Sequence, residues 1–311
     1  MDRIVFGDNQ FFGINHMSEE KAQLLSERFK DINAMIEVID TAYDCGIHAF
    51  MFNTHDQVAR LCDHFRANPD KYAELSLYPS MPYAHKYANA VNEKGMIGAL
   101  NDFVFANRSA GQIFGTLARG ATSIVSKNML NVMKILIDAE MTTFRGLNVR
   151  AVFLQNIVTD LLLGLGIKDM FISFADHIME KYGVEPAFNT MNMPQLVDFL
   201  LDCGIDNPIV CSSINKIGYL MNPNRQAYEE AIRTKPFRPM AMSVLASGAL
   251  APKEAIEYVA SQKNIRSIVF GASSRSHIQE TIDIINQHEF VAAPREHADW
   301  RIPTSTSISS G

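Results

Sequence analysis

Four short stretches carry most of the side chains that could do chemistry. His55 and Asp56 are adjacent, and a histidine beside a carboxylate can act as a general base because imidazole titrates near neutral pH. Adjacent residues rarely point the same way, so Asp56 suits equally well the N-cap of a helix beginning near Val58. Asp8, Asn9 and Gln10 form a polar run with His16 beyond it. In a catalytic reading His55 carries the proton and Asp8 and Asn53 orient the substrate; in the alternative, Asp8 makes a turn or a cap. Tyr83, His85 and Lys86 form a third stretch. A lysine forms a Schiff base only when its amine is desolvated, and Lys86 and Lys216 read as solvated. Tyr83, His85, Gln155, Asn189 and Asn9 are candidate substrate contacts. The stretch Gly271 to His277 brings backbone N–H groups, Ser273, Ser274 and Arg275 together at a helix start. That is either an anion site or simple capping by one of the serines.

Other chemistries find less support. Asp8, His16, His55 and His85 lie on three separate stretches without His-x-His spacing, so no metal is expected. Cys45, Cys62, Cys203 and Cys211 match no zinc spacing and read as reduced thiols. The 311 residues carry a net charge of −6 and no dense run of Lys and Arg, which argues against nucleic acid as partner. No apolar run reaches the roughly 18 residues of a membrane span. The expectation is a cytoplasmic protein acting on a small-molecule substrate, without membrane or nucleic-acid partners. A homo-oligomer is compatible with the sequence.

These side chains need a frame. Short apolar runs at Arg3–Gly7, His48–Asn53, Glu74–Tyr78, Val149–Leu154, Glu185–Asn189, Pro208–Ser212, Arg238–Ser243 and Arg266–Phe270 alternate with amphipathic stretches. Near-continuous apolar strands indicate a parallel sheet buried on both faces. Eight strand–helix alternations predict a closed (β/α)8 TIM barrel, an α/β fold. An open doubly wound sheet is less apt, because the first turn reads Gly7-Asp-Asn-Gln-Phe-Phe-Gly13 and not G-x-G-x-x-G. One barrel domain is expected over residues 1–303, with an insertion at about 81–126 between strands 3 and 4 and a disordered tail at 304–311. In such a barrel, catalytic residues stand at the C-terminal ends of strands, where the candidates above fall. Ser243, at the end of the seventh strand, joins them.

Four segments carry a family resemblance. Ala187-Phe-Asn-Thr-Met-Asn-Met-Pro-Gln-Leu196 resembles a strand of the aldo-keto reductases that ends in Ser-Asn-Phe. Pro239-Met-Ala-Met-Ser-Val-Leu-Ala-Ser-Gly248 resembles their Tyr-Ser-Pro-Leu-Ala-x-Gly segment. Ile265 to Ile278 resembles the last strand and its Gly-Ala-Ser-Ser turn, and Ala42 to Thr54 the approach to Phe-Asp-Thr-Ala. The resemblance implies NADP as cofactor, held by Ser243, Gly271, Ser273, Ser274 and Arg275. It also implies an Asp, Tyr, Lys and His tetrad. Here the aspartate position reads Asn53, the tyrosine position Val58, the lysine position falls near Tyr78 and Pro79, and the histidine position reads Gln155. An amide cannot tune a neighbouring pKa as a carboxylate does, and valine donates no proton.

The expected function is therefore an enzyme for a small polar carbonyl- or hydroxyl-bearing substrate, with or without a phosphate group. It would work by non-standard chemistry on this barrel, as a lyase, isomerase or hydrolase. The first alternative is an NAD(P)H-dependent oxidoreductase whose proton donor has moved to Tyr83 or His55. The second is a non-catalytic binding protein on a reductase-derived barrel.

Overall fold

The computed structural model describes residues 1–12, 19–83 and 127–290, without the side chains of 19–22 and 127–129. Eight short strands run parallel: β1 (Ile4–Phe6), β2 (Ala49–Asn53), β3 (Ser76–Met81), β4 (Ala151–Leu154), β5 (Glu185–Thr190), β6 (Ile209–Ser213), β7 (Arg238–Met242) and β8 (Ser267–Phe270). Each pairs with its sequence neighbours, and β8 returns to β1 through Ile4–Ile268, Val5–Val269 and Phe6–Phe270, so the barrel closes. The described helices are α1 (Glu19–Arg28), α2 (Ile32–Asp44), α3 (Asp56–Ala67), α4 (Lys127–Met141), α5 (Asn156–Gly164), α6 (Lys168–Tyr182), α7 (Met193–Asp202), α8 (Arg225–Thr234), α9 (Pro252–Ser261) and α10 (Arg275–Asn286).

Strand side chains alternate between two faces, and here both faces are buried. Val5, Ala49, Met51, Tyr78, Ala151, Phe153, Ala187, Ile209, Cys211, Met240 and Val269 pack inside the barrel. Phe6, Phe50, Phe52, Leu77, Leu154 and Phe188 point outward into the helix layer. The expected apolar stripe of α3, Val58, Leu61, Cys62 and Phe65, is buried there too.

The N-terminal end of the barrel is shut by polar groups that satisfy one another. The Tyr78 hydroxyl donates to Asp2, Ser267 Oγ donates to the Asp2 carbonyl at 2.6 Å, and Arg238 pairs with Glu185 at 2.8 Å. Continuing the alternation toward the other end puts Gly7, Asn53, Ser80, Gln155, Asn189, Ser213, Met242 and Gly271 at the inward positions of the C-terminal mouth.

The third strand departs from expectation. It spans Ser76–Met81 and continues past Pro79, which pairs with Phe52 of β2. Leu77 exchanges both of its backbone bonds with the β4 side, through Asn148 and Arg150. Pro79, two residues on, therefore has its missing N–H on that side. There the ladder is interrupted between the Leu77–Val149 bridge and the Ser80–Phe153 pair. A proline thus fits an interior strand because its missing N–H falls at this break in the ladder. Of the expected insertion at 81–126, Met81 ends β3, and 84–126 lie outside the described residues, as do His16, His85, Lys86 and the tail 304–311.

Candidate functional site

The site begins where β1 ends. After Gly7 the chain turns into a short 3-10 helix, Asn9–Phe12, which leaves Asn9 exposed and buries Gln10 and Phe11. Asp8 stands just before it and is 5% exposed. Its Oδ2 accepts from the Asn53 backbone N at 2.7 Å and from Asn53 Nδ2 at 3.1 Å. Burial pushes the Asp8 carboxyl up to about 6, outweighing the two Asn53 bonds, which pull it down. The pairing also gives a reason for an amide at position 53. An aspartate there would set two carboxylates against each other, whereas Asn53 offers the donor that Asp8 needs.

His55 and Asp56 exchange the parts that the sequence suggested. The N-cap of α3 is His55, whose Nδ1 accepts from Gln57 N at 3.2 Å; Asp56 is the first helical residue and is exposed. Asp56 therefore neither caps the helix nor reaches the inward ring, and its charge sits favourably at the positive end of α3. An accepting Nδ1 puts the neutral ring's proton on Nε2. The ring lies against Phe12, with centroids 4.4 Å apart, and meets Tyr83 at 6.0 Å. Removing the cap should cost about 1 kcal/mol in His55→Ala, and His55→Asn, a strong N-cap, should recover most of it. Urea denaturation of the two variants checks this, and equal losses in both would refute the capping role.

Tyr83 is nearly buried, and its hydroxyl is pushed above its ordinary pKa by burial first and by the Asp8 charge second. Its backbone N donates to both carboxylate oxygens of Glu140 at 3.2 Å. Glu140, on α4 and 3% exposed, also takes the Thr54 hydroxyl. One buried carboxylate thus joins the chain just after β2 to the chain just after β3. The sequence offered little sign of this, because Glu140 shares the stretch Met133–Met141 with two other charged residues, Lys134 and Asp138.

The far side of the mouth is lined by amides and hydroxyls. Asn189 Nδ2 donates to Ser80 Oγ at 2.9 Å. Gln10 Nε2 donates to the Gly7 carbonyl at 2.8 Å. Asn189 Oδ1 and Gln10 Oε1 are buried and have no hydrogen-bond partner among the described residues. Gln10 lies across the end of β8, where a Cβ on Gly271 would fall 2.0 Å from its Oε1; Gly271 has to be glycine while Gln10 holds that place. Gln155, expected at the fourth strand's end, is 4% exposed at the end of β4 and occupies the inward ring. Ser80 is level with Asn53 in the β2–β3 register, so the position sought near Tyr78 and Pro79 is Ser80. Tyr78 is at the opposite end of the barrel, bonded to Asp2. Val58 is wholly buried in α3.

The residues expected to hold a cofactor sit on the β7 and β8 side. Ser243 has φ +53°, and Ala246 and Ser247 follow with +47° and +56°. Such left-handed backbone is uncommon for residues other than glycine. Ser274 caps α10, accepting from His277 N at 3.4 Å, and Arg28 reaches the Ser273 carbonyl at 3.3 Å. Gly271 and Arg275 are exposed. The α10 N-terminus with Ser273, Ser274 and Arg275 fits the phosphate end of a dinucleotide. Further in, the space over Gly271 is taken by Gln10. Among the described residues, no group of three or more His, Cys, Asp or Glu could hold a metal ion, and no helix is long and apolar enough to cross a membrane.

The closed eight-strand barrel with these connections has counterparts among solved structures. The fold is that of the aldo-keto reductases. A Pseudomonas aeruginosa protein assigned to that family superposes with a TM-score of 0.55 at 12% identity, covering 92% of this chain and 90% of its own. An aldo-keto reductase from a Medee basin deep-sea metagenome library gives 0.52 at 8% identity, with coverage of 85% and 83%. One from the silkworm Bombyx mori gives 0.52 at 11%, with coverage of 90% and 78%. No protein-family model and no curated protein sequence matches the chain. At these identities the likeness establishes the architecture, and the side chains at the mouth must carry any argument about chemistry.

Proposed function

We propose that the mouth is an acid–base catalytic site for a small polar molecule bearing a carbonyl or hydroxyl group, with Asp8 carrying the proton. The observation behind this is the buried Asp8 carboxyl, raised to about 6 and held by Asn53 at the C-terminal end of the barrel. A perturbed carboxyl in that position is the mark of a proton-transfer group, since its basicity exceeds that of a solvated carboxylate while it stays ionised at neutral pH. His55 gives up the role first considered for it, because one ring nitrogen is spent on α3. Tyr83 and His55 wall the site, and Ser80, Gln155 and Asn189 orient the substrate. Lyase and isomerase chemistry both follow from such a group, because each turns on moving a proton next to a carbonyl or hydroxyl. The test is loss of turnover in Asp8→Asn on any carbonyl or hydroxyl substrate found by screening purified protein.

A second reading, reduction with NADPH, is favoured by the shared fold and by the serine-rich turn at the start of α10. Bound there, the cofactor would supply hydride; Ser273, Ser274 and Arg275 would hold its phosphate end, and Asp8 or Tyr83 would be the proton source. Fluorescence titration with NADPH should show saturable binding that weakens about tenfold in Arg275→Ala, the scale of one lost charge-assisted contact. No binding up to about millimolar cofactor, a Kd worth only about 4 kcal/mol, rejects the reading.

A further inference from the structure

We propose that the mouth selects a ligand carrying a protonated amine, in preference to a neutral or anionic group of the same shape. This rests on the mouth being the ligand site and goes on to the chemistry of the molecule that fills it.

The first observation is the pair of vacant acceptors. Gln10 and Asn189 are 8% and 7% exposed, and each has an amide oxygen without a partner among the described residues. The orientation of Gln10 is fixed, because the Gly7 carbonyl can only accept and so must face Nε2. Its oxygen is therefore the group turned toward Gly271, at the inward ring of the mouth. Asn189 Nδ2 is spent on Ser80. A buried acceptor left unmatched costs free energy comparable to a lost hydrogen bond, so a ligand that donates is stabilised here, and one that brings only oxygen lone pairs is opposed. An ammonium has three donors and no acceptor.

The second observation is independent of the first and concerns charge. The eight inward positions of the mouth, Gly7, Asn53, Ser80, Gln155, Asn189, Ser213, Met242 and Gly271, include no lysine or arginine. Asp8 is a buried carboxyl beside them, and the groups bonded to it from β2 are neutral amides; Glu140, the other buried acid at this end, adds no positive charge. The adjoining wall is aromatic, Phe12 against His55 against Tyr83, and ring faces attract cations. Acceptors, a carboxylate and aromatic faces all favour positive charge, and a desolvated site amplifies that preference. The anion-friendly serines at the start of α10 belong to the outer rim, so they do not reverse it.

The experiment compares benzylammonium, benzyl alcohol and benzoate, which share one aromatic body and differ in charge. Binding to the full chain at about pH 7.5 is followed by ligand-observed saturation-transfer NMR. Benzylammonium is expected to bind about tenfold more tightly than benzyl alcohol, with benzoate weakest. In Asp8→Asn the advantage over benzyl alcohol should fall to within about threefold. Equal binding of the alcohol or benzoate, an advantage that survives in Asp8→Asn, or no binding of any of the three overturns the proposal. The wild-type comparison stands even if the variant misfolds. Because no turnover is measured, loss of activity in Asp8→Asn without a cation preference would sink this inference and leave the acid–base reading intact.

Discussion

Asp8→Asn should be more stable than the wild type at neutral pH and should have no activity. The wild-type carboxyl is 5% exposed and is raised to about 6 by burial. The folded chain therefore holds the Asp8 proton over a pH range in which the unfolded chain has already released it. Stability is full below the ordinary carboxylate value and falls as the pH climbs toward 6, levelling off above it, by about 3 kcal/mol in all. Asparagine has the same shape and no charge. Its oxygen can accept from the Asn53 backbone N, and the Asn53 side chain can turn its own oxygen to the new amide. Thermal melts at a series of pH values should show the wild type losing stability between about pH 4 and 6 and the variant staying flat. Turnover should move the other way in the wild type, rising through about pH 6 as the base ionises. A site that is less stable in the form in which it works is the signature of a functional charge and not of a structural one. A variant that melts lower at about pH 7.5, or that keeps more than about a tenth of the activity, would remove Asp8 from the role given to it.

Glu140→Leu should be among the most damaging single changes outside the barrel interior. The leucine fits an apolar helix face, so packing volume is roughly kept. What is lost is the acceptor for the Tyr83 backbone N and for the Thr54 hydroxyl, both deep in the protein. Each stranded donor costs about 1–3 kcal/mol, and the pair together about 3 kcal/mol. Glu140→Gln keeps one oxygen and should cost about 1 kcal/mol. Beyond stability, the change frees two chain segments that flank Asn53 and His55 and should blur the Tyr83–His55 ring contact, visible as altered aromatic NMR shifts. Urea denaturation giving Glu140→Leu within about 0.5 kcal/mol of wild type would show that the two donors find other acceptors.

The barrel was legible because its cause is local. Strands buried on both faces must read as near-continuous apolar runs, helices must read with a period near 3.6, and eight such alternations leave one closed arrangement. The rule that chemistry gathers at the C-terminal strand ends places Asp8, Asn53, Gln155 and Asn189 at one mouth from the sequence alone. The end of β3 was misplaced, because Pro79 reads as a stop and its harmlessness depends on which neighbour its absent N–H faces. The parts of His55 and Asp56 were likewise undecidable from adjacency: which of two neighbouring side chains turns back onto a helix start is a matter of backbone angle.

The residues themselves determined the fold, the mouth and the list of groups available to it, since composition and periodicity act through neighbours along the chain. Tertiary structure alone decided which of those groups matter. It set Asp8 against Asn53 across 45 positions of sequence, drove its proton affinity up by burial, and spent the His55 Nδ1 on a helix. It also tied two strand ends to Glu140 and left the oxygens of Gln10 and Asn189 without donors among the described residues. Burial and pairing between distant residues are properties of packing, and no spacing rule along the chain can supply them.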